Sequence, residues 1–210
     1  MHYPIGYMNT IRSVCVYCGS SSGRSDIYIK AGHTLGRSLA EAGLRLVYGG
    51  GTKGIMGAVA EGALRAGGKV TGIIPRFLLN REATEAGLGK FDDIVITENM
   101  HERKHRMFEE SDAFVALPGG IGTVEEIVEV MTWAQLGHHR KPMVFANIDG
   151  FWNPMLSLID HMRAEGFIHT GHLVQPLVID RPEKIVAAIL VEGANVDAPT
   201  EGMKSVIDRM

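Results

Sequence analysis

The sequence predicts an α/β fold: a doubly wound parallel sheet with helices on both faces. Three observations carry that expectation. Short apolar, β-branched runs alternate with longer amphipathic segments along the chain, the pattern of strands joined by crossover helices. The 210 residues, 45% hydrophobic and 21% charged, suffice for one α/β core and would cramp two. The 26 glycines fall in clusters, and several clusters directly follow an apolar run, where an open parallel sheet binds its ligand.

In chain order, the expected strands are Ser13–Tyr17, Leu44–Tyr48, Lys69–Ile74, Asp93–Thr97, Ala113–Leu117, Pro142–Ala146 and Leu177–Ile179. The first expected helix, Asp26–Ala42, places Ile29, His33, Leu35, Leu39 and Ala42 at turn-like spacings and is closed by Gly43. Helices are further expected at Lys53–Ala66, Met100–Ser111, Thr123–Leu136, Asn153–Glu165 and Pro182–Val191. No repeat or linker divides the chain, so 11–193 is expected to form one domain, with 1–10 and 194–210 as terminal extensions. The last of these has scattered Asp, Pro, Thr and Gly with weak periodicity, and is expected to be loose or partner-dependent.

A formal net charge of −3 without a basic stripe argues against a nucleic-acid partner. No apolar run is long enough to cross a bilayer, and the opening MHYPIGYMNT lacks a basic region followed by an apolar one. No membrane association is therefore expected, and the expected location is the cytoplasm. Cys15 and Cys18 form a C-x-x-C pair, but on a strand two residues three apart point to opposite faces. Buried thiols packing as small apolar groups are expected there, not a redox pair or zinc site.

Four loops should meet on one rim: CGSSSG, containing Ser20; YGGGTKG, containing Gly50 and Gly51; IIPRFLLNRE; and LPGGIGTVEE. Residues 49–54 satisfy G-x-G-x-x-G, yet the next strand ends TGIIPR without the acid that holds a dinucleotide ribose. No Gly-Lys-Ser/Thr follows to make a P-loop. What survives is an anion site made by exposed N–H groups at a helix N-terminus. LPGGIGTVEE repeats that arrangement, and its Thr123-x-x-Glu126 also has capping-box spacing.

HERKH, residues 101–105, matches the H-E-x-x-H zinc pattern. Against zinc, Asn99 and Glu102 have capping-box spacing, and Arg103 and Lys104 would place two positive charges beside the ion. A third ligand would have to come from His138 or His139. Cations in a helix's first turn oppose the macrodipole by about 0.3–1 kcal/mol each, an effect a bound phosphate shared with the glycine loops would reverse. The stretch fits a phosphate better than a metal.

GGGTKGIMG, MHERK, LPGGIGTVEE and TWAQLGHHRKP, in that order, resemble the LONELY GUY family of cytokinin riboside 5′-monophosphate phosphoribohydrolases, often labelled lysine decarboxylases in older naming. The resemblance runs from about Cys15 to Ile179 and implies a Rossmann-like fold. It implies a homodimer whose subunits share the active site, a nucleoside 5′-monophosphate substrate, and no cofactor. Carried over to matching positions, it makes Arg103 and Glu126 the catalytic pair. Lys104, Gly119, Gly120, Ile121, Gly122, Thr123, Val124, Glu125 and Thr132 would contact the nucleotide, and Glu82 would assist in binding. Plant members commonly have tyrosine where this chain has Ile121. The implied reaction is hydrolysis of the N-glycosidic bond, with Glu126 stabilising positive charge at C1′ and accepting a proton from water.

Two rivals come from other classes. A nucleotide or cofactor carrier could use the same glycine loops without reacting. A pyridoxal-dependent decarboxylase would need a Schiff-base lysine, and no suitable surroundings can be read around Lys53, Lys69 or Lys104. Finally, the helix bearing Trp133 is apolar on more than one face, through Ile127, Val128, Val130, Met131 and Leu136, so part of it is expected to meet a second subunit or other helices.

Overall fold

The computed structural model describes residues 11–79, 89, 91–168 and 175–196. Among these, seven parallel strands form one sheet in the order β4-β3-β2-β1-β5-β6-β7. They are β1 Ser13–Tyr17, β2 Arg45–Tyr48, β3 Val70–Pro75, β4 Asp93–Thr97, β5 Ala113–Ala116, β6 Met143–Ala146 and β7 Leu177–Ile179. The α-helices among the described residues are α1 Asp26–Glu41, α2 Gly54–Arg65, α3 Met100–Glu109, α4 Ile121–Gln135, α5 Asn153–Ala164 and α6 Ile185–Val196.

The chain starts in the middle of the sheet, winds outward to β4, then crosses back so that β5 lies on the other side of β1. Cys15 accordingly pairs with Val47 on one side and Phe114 on the other. The reversal leaves a crevice beyond the carboxyl ends of β1 and β5, where ligands bind in sheets of this kind.

Alternation along the strands divides the core into two layers. Val14, Val16, Leu46, Tyr48 and Val115 pack with Leu35 and Leu39 of α1, Ile55 and Val59 of α2 and Ile189 of α6. Cys15, Tyr17, Val47, Phe114 and Phe145 face the opposite way, against Met107 of α3, Ile127 and Val130 of α4 and Ile159 of α5. The two thiols therefore lie in different layers, free and buried, as strand alternation requires. Burial pushes both well above the ordinary thiol range, so they stay neutral and act as packing groups.

Two helix limits differ from the sequence expectation in ways that matter. Residues 182–184 form a 3₁₀ turn before α6, which continues to Val196, so the boundary expected at 193 falls inside this helix. Helix α4 begins at Ile121, two residues before the expected Thr123. Its N-cap is Gly120, in extended conformation and without a side-chain bond to the helix. Among the described residues, no helix is long and apolar enough to cross a membrane.

Candidate active site

Three of the four rim loops meet, and a fourth adjoins them. Gly19 N–H donates to the Pro118 carbonyl at 3.1 Å, joining the loops after β1 and β5. Ile55 N–H and Met56 N–H donate to the carbonyls of Ser21 and Gly19 at 3.4 and 3.2 Å, joining the loop after β1 to the start of α2. Gly50 packs its Cα side against Ile74 at the end of β3.

These bonds distinguish the two anticipated anion cradles. The N–H groups of Ile55 and Met56 in the first turn of α2 are taken by backbone carbonyls, so this terminus is largely closed by the loop after β1. The glycines there have structural causes. Gly50 and Gly54 adopt φ of 75° and 57°, and a Cβ on Gly54 would run into the Ser20 carbonyl. The Gly51 carbonyl accepts from the Tyr48 hydroxyl at 3.2 Å. Ser20 itself is exposed on the loop that covers this end.

The start of α4 is different. Val124 N–H is bonded to the Gly120 carbonyl at 3.1 Å, and no side chain caps the helix. The N–H groups of Ile121, Gly122 and Thr123 are those the helix itself leaves unused. The site for a Cβ on Gly119 is filled by the Thr123 side chain, with Gly19 N 2.9 Å away. Glycine is thus required for the backbone to fold tightly around this terminus, while Gly120 and Gly122 face open space.

Behind the cradle lies a buried ion pair. Arg103 Nη2 is 3.4 Å from Glu126 Oε1, with side chains only 5% and 6% exposed. Arg103 comes from the first turn of α3, where Asn99 Oδ1 accepts from Glu102 N–H at 2.9 Å. Its Nε donates to the Ile73 carbonyl at 3.2 Å and its Nη1 reaches Met100 Sδ at 3.8 Å. These contacts fix the guanidinium against the end of β3. Because α4 starts at Ile121, Thr123 is not its N-cap and the expected Thr123–Glu126 capping box does not form. The Glu126 carboxylate is turned to Arg103 instead.

Lys104, next on α3, is held by Glu125 Oε1 at 2.5 Å and Glu129 Oε1 at 3.2 Å. Burial pulls its ammonium down, but the hydrogen bonds it donates to both carboxylates, with their negative charge, outweigh that and raise it above the ordinary lysine value. Glu129, one turn beyond Glu125, was not singled out from the sequence, although their i, i+4 spacing signals a shared face. The site therefore sets Arg103 and Lys104 against Glu125, Glu126 and Glu129. Neither cation is in excess over the carboxylates around it.

Val124 is half-buried against the core, Ile121 is 85% exposed beside the cradle, and Thr132 lies on the outer face of α4. The Thr132 hydroxyl donates to the Val128 carbonyl of its own helix at 2.8 Å. Glu82 lies outside the described residues.

The H-E-x-x-H pattern is accounted for without a metal. Glu102 Oε2 accepts from Glu98 N–H at 2.9 Å, His105 pairs with Glu109 at 3.2 Å, and His101 is exposed. His139 has both ring nitrogens engaged, with the Val130 carbonyl at 2.9 Å and Lys141 N–H at 3.1 Å. Among the described residues, no three His, Cys, Asp or Glu side chains gather as a metal site.

A family model described as "possible lysine decarboxylase" matches residues 56–189. The chain is 50% identical over 157 residues to the cytokinin riboside 5′-monophosphate phosphoribohydrolase LOG of Oryza sativa subsp. japonica, covering 75% of this chain and 64% of that protein. It is 47% identical over 171 residues to the Arabidopsis thaliana enzyme LOG7, covering 81% and 76%. The chain belongs to the LOG family. The match spans just under two thirds of the rice relative's length and about three quarters of the Arabidopsis one. The LOG-family fold is shared with the molybdenum cofactor binding protein of Rippkaea orientalis, with a TM-score of 0.64 at 22% identity, covering 85% of this chain and 95% of that one.

Proposed function

We propose that this chain is a cytoplasmic phosphoribohydrolase that cleaves the N-glycosidic bond of AMP or a cytokinin riboside 5′-monophosphate. The products are the free base and ribose 5-phosphate. The observation that carries the proposal is the buried Arg103–Glu126 pair behind an uncapped helix N-terminus, in a chain 50% identical over 157 residues to an enzyme named for that reaction.

The phosphate is assigned to the N–H groups of Ile121, Gly122 and Thr123, where the helix terminus favours an anion. Lys104, beside Arg103 on α3, contributes charge, and phosphate contact with it requires release from Glu125 and Glu129. With the phosphate fixed, C1′ is set beside Glu126. As the C1′–N bond breaks, its electron pair leaves with the base, which takes a proton from solvent, and positive charge grows on the sugar. Ionised Glu126 stabilises that charge and accepts a proton from the water that adds to C1′. Arg103 favours the ionised carboxylate and donates to substrate oxygens.

The outer face of α4 supports a homodimer in which a second subunit completes the site. Ile121, Val128 and Leu136 are 85%, 37% and 68% exposed on the helix that carries Glu126. Ile127, Val130 and Met131 of the same helix fill the core. Light scattering on Leu136→Glu tests this: a monomer with much reduced activity is expected, and an unchanged active dimer would rule this face out.

The lysine-decarboxylase label gains no support from Lys104, since a Schiff-base lysine needs a depressed pKa and this one is raised. The likeness to a cofactor-binding protein, at 22% identity, concerns the fold. Product analysis with AMP, an isopentenyl analogue and the matching nucleosides tests the proposal. Free base and ribose 5-phosphate should appear from the monophosphates; stoichiometric binding with no base released would favour a carrier instead.

A further inference from the structure

We infer that Gly49 is a positioning residue for the catalytic pair: its missing side chain is the space in which the Arg103 guanidinium is aimed at Glu126. The inference rests on Arg103 and Glu126 being that pair.

Gly49 is the first residue after β2 and is buried. The place where its Cβ would stand is occupied by Arg103 Nη2, with Cζ 3.2 Å away. Nη2 is also the atom that faces Glu126. The other two guanidinium nitrogens are engaged by the Ile73 carbonyl and Met100 Sδ. A methyl group at position 49 therefore leaves the arginine no accommodation that keeps all three contacts.

Two further observations separate this glycine from its neighbours. Gly49 is absent from the glycines with positive φ, so alanine can adopt its backbone conformation. The other neighbour of a Cβ there, Met56 Cε at 3.5 Å, is an ordinary contact. The conflict is thus with the end of one flexible side chain. Gly36 is the opposite case, since a Cβ there meets backbone, including Ala63 N at 2.8 Å and Val59 C at 3.0 Å. Substitution at 36 should separate α1 from α2; substitution at 49 should move a guanidinium and little else.

The displacement has a specific electrostatic signature. The groups that act on the same pocket are Arg103 from α3, Cys15 and Tyr17 from β1, Cys18 after it and Glu129 on α4. Burial keeps the two thiols and the phenol neutral, and Glu129 is tied to Lys104. Among the described residues, Arg103 is a cation whose movement changes the proton affinity of Glu126.

The test compares Gly49→Ala and Gly36→Ala in the full chain. Gly49→Ala is expected to lower kcat about 10²-fold, the usual consequence of an ångström-scale misplacement, with KM changed by no more than about twofold. The acid limb of its pH–rate profile should move to higher pH, and its Tm should stay within about 3 °C of wild type. Gly36→Ala should lose Tm without moving the acid limb. A carboxyl carbon NMR titration of Glu126 reads the same shift without turnover. Wild type releasing no base would refute the proposed reaction, while the titration would still report on Gly49. An unmoved titration midpoint in Gly49→Ala, or wild-type kcat, would overturn the inference.

Discussion

The loops after β2 and β5 look alike in sequence, each a glycine cluster between a strand and a helix, yet the fold uses them in opposite ways. The loop of residues 49–54 is largely closed: carbonyls of Ser21 and Gly19 take the Ile55 and Met56 N–H groups in the first turn of α2. The loop of residues 118–120 is open: α4 has no side-chain cap, and Glu126 on its second turn is paired with Arg103. A glycine-rich strand-to-helix turn is therefore only a capacity for anion binding. What decides is whether another loop reaches the terminus first. Here the segment after β1 seals one terminus and, through Gly19 and Pro118, braces the other.

The largest expected effect separates the chemical loop from the structural one. Glu126→Gln keeps the shape of the side chain but not its charge, and should lower kcat by about 10²–10⁴, the range for losing a general base. Steady-state kinetics on AMP or an isopentenyl analogue would show it, and a wild-type rate would remove Glu126 from the mechanism. Removal of the 5′-phosphate from the substrate should come next. If the open terminus anchors the phosphate, kcat/KM for the nucleoside falls by about 10²-fold or more, because remote binding energy positions the reacting carbon. Equal turnover of nucleoside and nucleotide would mean that the open terminus holds something else.

Matched alanine substitutions sharpen the contrast. Gly119→Ala meets the Thr123 side chain and Gly19 N, so it distorts the open loop and should raise KM about tenfold. Gly54→Ala meets the Ser20 backbone at a φ of 57°. It should cost about 3 kcal/mol of stability, or roughly 6–12 °C in Tm for a domain of this size, with KM little changed. If both variants raised KM alike, the closed loop would also be a ligand site.

Much of this was legible in the sequence, and the rest had a physical reason for being hidden. Strand alternation requires Cys15 and Cys18 to lie in opposite layers, as they do. Asn99 was readable as an N-cap because its donor partner is only three residues away. The sealing of α2 was not, since it depends on where a loop some 35 residues earlier comes to lie. Thr123 misled for a related reason. Its spacing to Glu126 fits a capping box, but the helix starts earlier because Gly120 can take the cap position, and a buried arginine offers the carboxylate a stronger partner. Lys104 shows the same limit: its place beside Arg103 was legible, but its pairing with Glu125 and Glu129 on another helix was not.

The smallest expected effect comes from the far end of α4, away from both loops. His139 packs edge-on against Phe108 and Phe114 and joins the Val130 carbonyl to Lys141 N–H. Burial lowers its pKa from 6.5, the Val130 hydrogen bond opposes this, and Lys141 and His138 add to the lowering. The fold thus prefers the neutral ring, with Nε2 donating and Nδ1 accepting. With the folded value below the unfolded one, the unfolded chain binds the extra proton first, so this contribution is fully present above pH 6.5 and is lost as pH falls toward the folded value. Chemical denaturation between pH 7 and pH 5 should show a stability loss that His139→Gln reduces, with the acid limb of catalysis unmoved because Glu126 sits at the other end of the helix. A parallel shift in both would mean that the two ends of α4 are coupled, and the separation between the catalytic terminus and the rest of the helix would have to be abandoned.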